Sequence, residues 1–85
     1  KVVLETRWKP GQRTEIRTER AGGRTETRTS VNGILTESIL VDGAFRTLSW
    51  YRNGNLVYRV LEEDGRPFRE EEYQNGTRLR VRELK

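Results

Sequence analysis

The chain contains no cysteine, no histidine and no methionine. Without cysteine there is neither a disulfide framework nor a thiolate metal site, and nothing in the sequence points to a redox compartment. Without histidine and cysteine, the commonest general base and the best nucleophile are both missing. Proline occurs only twice, and aromatic residues make up 8% of the chain. Only 32% of the 85 residues are hydrophobic, which fits one small domain with a thin core. No apolar run approaches the roughly 20 residues of a membrane helix, and the N-terminus has no signal-like pattern. Outer-membrane strands turn apolar residues outward, whereas here the outward positions are mostly Glu and Arg. The expectation is therefore a soluble domain with no membrane contact.

Charge is abundant. Lysine and arginine number 17 against 13 acidic residues, a net charge of +4. Almost all the bases are Arg, which is compatible with nucleic acid or acidic partners. The acids are interleaved with the bases, however, and that pattern suits a mixed, solvated surface better than a phosphate-binding track.

Glycine punctuates the rest. Gly11, Gly23, Gly33, Gly43, Gly54, Gly65 and Gly76 follow one another at intervals of 12, 10, 10, 11, 11 and 11 residues. A strand of about eight residues plus a tight turn gives that period. Apolar and polar residues alternate with period 2, and no segment sustains a period of 3.6. The spacing predicts eight antiparallel strands in a meander, with no helix.

The chain is organised around Ile34 to Leu61, which holds most of the large apolar residues. Asp42-Gly43 and Asn53-Gly54 are strong hairpin signals, because a type I′ turn needs positive φ at both central residues. Strict alternation about these turns puts Ile34, Thr36, Ser38, Leu40, Phe45, Thr47, Ser49, Tyr51, Leu56, Tyr58 and Val60 on one uncharged face, taken as the core. The other face carries Leu35, Ile39, Val41, Leu48, Trp50, Val57 and Leu61 among Glu37, Ala44, Arg46 and Arg59. In this register Leu35, Trp50 and Val57 lie side by side. An exposed apolar patch of this kind marks a contact, so these seven residues are the candidate partner or self-association surface.

Strand one, Val2 to Trp8, sets Val2, Leu4, Thr6 and Trp8 on one face, and Lys9-Pro10-Gly11 turns it. Strand two, Arg13 to Arg20, turns Thr14, Ile16 and Thr18 inward. Strand three, Arg24 to Val31, does the same with Thr25, Thr27, Thr29 and Val31. A threonine-rich interior needs hydroxyl partners, and suits a shallow, wet flank or, as the alternative, the lining of a small polar cavity. In this register Glu19 faces Glu26 and Arg17 faces Arg28, an unfavourable pairing eased by opposite charges on the diagonals. In strand seven, Arg66 to Tyr73, either Phe68 turns inward with Glu70 and Glu72, or Tyr73 turns inward with Arg69 and Glu71. Pro67 argues for an edge or a barrel rim. In strand eight, Leu79 and Val81 face in, and Arg78, Arg80 and Arg82 face out.

Eight short strands with uniform turns suit a small up-and-down β-barrel in which strand one pairs with strand eight. The alternatives are an open twisted meander or a two-sheet sandwich, and the apolar second face of strands four to six favours a sandwich or a bound partner over a free-standing barrel.

For catalysis little remains. Ser30, Ser38 and Ser49 sit on strands outside any nucleophile-elbow pattern. Glu70 and Glu72 share a strand face but read as a solvated edge. No metal-ligand spacing and no glycine motif before a helix occurs. No enzyme activity, no metal and no cofactor are expected. Nucleic acid is an unfavoured partner, because the Arg78, Arg80 and Arg82 stripe is separated from Trp50, Tyr51 and Tyr58 by Glu70 to Glu72.

The turns GRT, VNGI, VDGA, YRNGN, EEDGR and YQNGT, the alternation in RTEIRTER and RTETRTSV, and the lack of Cys, His and Met resemble de novo designed β-proteins, small barrels in particular. That resemblance implies a scaffold or binder without native biology. The segment WYRNGNLVYRVLEEDGRPFREEEYQNGTRLRV resembles the hairpin repeats of MORN-variant antitoxin-type proteins, and GNL with DGR is similar to Rhs-type repeats. This second resemblance implies a natural hairpin-repeat interaction module.

Overall fold

The computed structural model describes residues 1–84. It contains eight strands: β1 (Val2–Lys9), β2 (Gln12–Ala21), β3 (Arg24–Val31), β4 (Ile34–Asp42), β5 (Phe45–Arg52), β6 (Asn55–Glu63), β7 (Arg66–Gln74) and β8 (Thr77–Glu83). They form one antiparallel sheet in sequence order, as the glycine spacing anticipated. Among the described residues no helix is long and apolar enough to cross a membrane.

The sheet does not close. β1 pairs only with β2, and β8 only with β7. Among the described residues, strands contact only their neighbours in sequence. The expected barrel closure is therefore replaced by an open sheet, and the sandwich by a single layer. The molecule measures 42 × 31 × 18 Å, with 18 Å the thin direction.

A single layer has no interior. Among the described residues no hydrophobic side chain is buried; the only buried residues are Ser49 and Glu71. A sheet is ordinarily stabilised by burying one face against another layer, and here the chain supplies no such layer.

Register explains which side chains share a side. Two-residue turns join the strands. At Asn32-Gly33, Asn53-Gly54, Asp64-Gly65 and Asn75-Gly76 both residues have positive φ, the requirement of a type I′ turn. The turn after β4 differs from the expectation. Asp42 pairs with Phe45, so Gly43 and Ala44 form the turn, and only Gly43 has positive φ. This is the type II′ arrangement, with glycine first. The pairing moves by two residues and no side chain changes face.

Four β-bulges do change faces. Thr29 pairs with Glu37 but Ser30 with Leu35, so Thr36 is the extra residue. By the same logic Val57, Phe68 and Leu79 are extra in β6, β7 and β8. Each extra residue reverses the alternation beyond it. The expected faces of the central stretch are corrected accordingly. Tyr58 and Val60 join Leu48 and Trp50 on the side we call the front. Arg59 and Leu61 join Ser49 and Thr47 on the back. Leu35 pairs with Ser30 on the back, while Ile39 and Val41 pair with Thr27 and Thr25 on the front.

The flanks follow. Thr14, Ile16, Thr18, Thr25, Thr27, Thr29 and Val31 share the front, as read from sequence. The like-charge pairs Arg17–Arg28 and Glu19–Glu26 do lie opposite one another on the back, where Arg28 also bridges to Glu26 at 3.1 Å. The apolar side of β1 faces the charged side of β2: Leu4 opposes Arg17, and Trp8 opposes Arg13, whose guanidinium lies 5.9 Å from the indole centroid. Pro67 marks neither an edge nor a rim. β7 is an inner strand, and Pro67 sits beside the Phe68 bulge, where a missing donor is tolerated.

Candidate interaction face

The front of β4, β5 and β6 is the most continuous apolar surface of the sheet. Ile39 pairs with Leu48, and Leu48 pairs in turn with Val60, so three aliphatic side chains form one row across three strands. In the next row Trp50 pairs with Tyr58, their ring centroids 5.3 Å apart and tilted by 38°. Such tilted ring pairs add stabilisation beyond area alone. Val41 extends the block beside Ile39 and is exposed, at 37%. Ile39, Leu48, Trp50, Tyr58 and Val60 are half-buried by their own neighbours and otherwise open.

A polar rim surrounds this block. Arg46 and Glu62 pair at 2.7 Å at one end, and Glu37 stands opposite Trp50 at the other. Thr25, Thr27 and Thr29 border it on the β3 side. On the β7 side Tyr58 donates its hydroxyl proton to a Glu70 carboxylate oxygen, and Arg82 donates to the other oxygen at 2.8 Å. The hydrogen bond to Glu70 pushes the Tyr58 phenol up from its ordinary value of 10.0. The same bond, with that from Arg82, holds the Glu70 carboxyl below its ordinary 4.5.

The back is organised differently. Ser38, Ser49, Arg59 and Glu71 form a polar row through its middle. Leu40 and Leu61 are separated by Thr47 in the row above. Glu71, at 2% exposure, accepts from Arg59 at 2.7 Å, from the Tyr73 hydroxyl at 3.0 Å and from Arg78 at 3.2 Å. The Arg59 guanidinium also stacks 5.5 Å from the Tyr73 ring centroid. Burial alone would push the Glu71 carboxyl up; the hydrogen bonds from Arg59 and Tyr73, with the Arg59 charge and Arg78, outweigh it and hold the carboxyl low. Burial and the bond to Glu71 push Tyr73 up.

Of the seven residues singled out from sequence, the structure brings Ile39, Val41, Leu48 and Trp50 together on the front. It places Leu35 and Leu61 on the back, and Val57 in the β6 bulge. Leu35, Trp50 and Val57 are therefore not side by side. Tyr58 and Val60, assigned by strict alternation to the opposite side, complete the patch. The Arg stripe of β8 divides at Leu79. Arg78 goes to the back, against Glu71, while Arg80 and Arg82 go to the front, against Glu72 and Glu70.

No family model, curated protein or solved structure matches this chain.

Proposed function

We propose that the chain is a non-catalytic interaction module that binds through the front of β4, β5 and β6. The observation that carries this reading is the unbroken apolar block Ile39, Val41, Leu48, Trp50, Tyr58 and Val60, half-open on a single-layer sheet that buries no hydrophobic side chain of its own. Contiguous exposed apolar surface rimmed by polar groups is the usual anatomy of a contact.

A repeat-type module is the form of this function best supported by the chain. Asn53-Gly54, Asp64-Gly65 and Asn75-Gly76 recur at 11-residue intervals, each followed at the same distance by a bulge residue, Val57, Phe68 and Leu79. A designed scaffold with the same regular turns would act through the same face. A nucleic-acid role has less support, because Arg78, Arg80 and Arg82 are each already set against a glutamate.

The test uses an environment-sensitive apolar dye added to dilute protein. The parent binds it and Trp50→Thr loses most of the signal, whereas Leu61→Thr, on the back, keeps it. Equal loss in both variants would refute a front-face site.

A further inference from the structure

We infer that the occupant of the front face is a second copy of this chain, packed face to face about a two-fold axis that runs along β5. This rests on the interaction-face reading and adds the partner and its orientation. Three observations carry it. The first is size. A stable interface takes about 800 Å² from each partner, and the sheet offers a 42 × 31 Å outline with the apolar block near its middle. The second is symmetry of the apolar row. From β3 to β7 it reads Thr27, Ile39, Leu48, Val60, Glu70, with Leu48 at the centre. Rotation about β5 lays Leu48 on its own copy and Ile39 on the copy's Val60, which is the self-complementarity an isologous contact requires.

The third is the asymmetry of the flanks. On one side of the block the front carries uncharged Thr18 and Thr27; on the other it carries Glu70, Glu72, Arg80 and Arg82. Rotation about β5 lays Glu70, Glu72 and Arg82 on the other copy's Thr27, Thr29 and Thr18, and Arg80 on its Ile16. Thr27 then meets Glu70 and Thr18 meets Arg82, so hydroxyls face charges on the flanks, while on the axis Arg46 meets its own copy with each guanidinium already paired to its own Glu62. The alternative two-fold, across the strands, would set Glu70 against Glu70. The back offers no equivalent, because Ser38, Ser49, Arg59 and Glu71 interrupt its apolar residues and Arg17 lies beside Arg28. Two such layers, about 10 Å apart with their β5 strands parallel, make a sandwich whose halves come from different chains.

Light scattering over a hundredfold concentration range, with circular dichroism as the fold check, tests the copy. The parent is expected to reach twice the chain mass, Leu48→Glu to remain at the single-chain mass, and Leu61→Glu to behave as the parent. Orientation is read from cross-linking, which the cysteine-free sequence makes clean. Thr27→Cys mixed with Glu70→Cys is expected to give a bismaleimide-linked pair in several-fold excess over either variant alone. If Leu48→Glu fails to fold, this excess decides the question, since both cysteines lie outside the apolar block. Cross-linking of each variant to itself, or none, overturns the proposal. A parent that stays monomeric yet binds the dye also overturns it and leaves the interaction face standing; a monomeric parent that binds no dye removes both.

Discussion

Glu71 is the most buried side chain of the described residues, and it is an acid in a single-layer sheet. It is held there by Arg59, Tyr73 and Arg78 rather than by apolar cover. Because the network is thin and Arg78 is half exposed, at 54%, its worth is discounted from that of a fully buried ion pair. Glu71→Ala is expected to cost about 1–3 kcal/mol in urea denaturation, by stranding the Arg59 charge. Glu72→Ala, which removes an exposed ion pair to Arg80 at 3.8 Å, is expected to cost about 0.5 kcal/mol or less. Equal costs would contradict the network.

The same residues set the pH response. Glu70 and Glu71 titrate lower in the folded chain than the ordinary 4.5, so their contribution is complete above that value. It drains away as pH falls through the folded values. Tyr58 and Tyr73 titrate higher than 10.0, so theirs is complete below that value and is lost as pH rises through the folded values. The urea midpoint should therefore fall on both sides of a neutral plateau, and Glu71→Gln should flatten the acid side. An acid limb as steep in Glu71→Gln as in the parent would remove Glu71 as its source.

At the scale of the element, strands were legible and faces were only partly so. The glycine intervals mark all eight strands, and the threonine alternation of β2 and β3 survives because no bulge interrupts that pair. Bulges were hidden because Thr36 and Val57 fit the local alternation as well as their neighbours do. One extra residue among uncharged or apolar neighbours leaves no compositional mark, yet it sends Tyr58 and Val60 to the front and Leu61 to the back. A trace was present in retrospect: the fifth residue counted from each Asn-Gly or Asp-Gly turn is the extra one in four hairpins. Deleting Val57 leaves Leu56 opposite Tyr51 and Tyr58 opposite Trp50 with no residue between, so Tyr58 and Val60 should stay on the front and the cooperative urea transition should survive. Loss of that transition would show that the bulge itself is needed. The turn after β4 gives a milder check. Gly43→Ala places a side chain at φ 62 and should cost about 1 kcal/mol. Ala44→Gly should cost less, and the reverse order would contradict the type II′ turn with Gly43 at positive φ.

At the scale of the molecule, the decisive feature was not legible. Alternation says which residues share a side but not whether the last strand returns to the first, and β1 and β8 remain separate edges. An open layer has two uncovered faces, so apolar residues that a barrel would enclose stay accessible. That turns a weak core into a contact surface, and it makes stability and association two readings of the same side chains.

Trp50 reports on this most directly. In a Trp8→Phe background it is the single tryptophan, since the chain has two. Its emission, followed with light scattering from dilute to concentrated protein, should start solvent-exposed and readily quenched at the monomer mass. It should then shift to shorter wavelength and resist quenching as the mass doubles. An emission already blue-shifted and protected at the monomer mass would mean that the chain covers its own front face, and would contradict the open single layer on which the account rests.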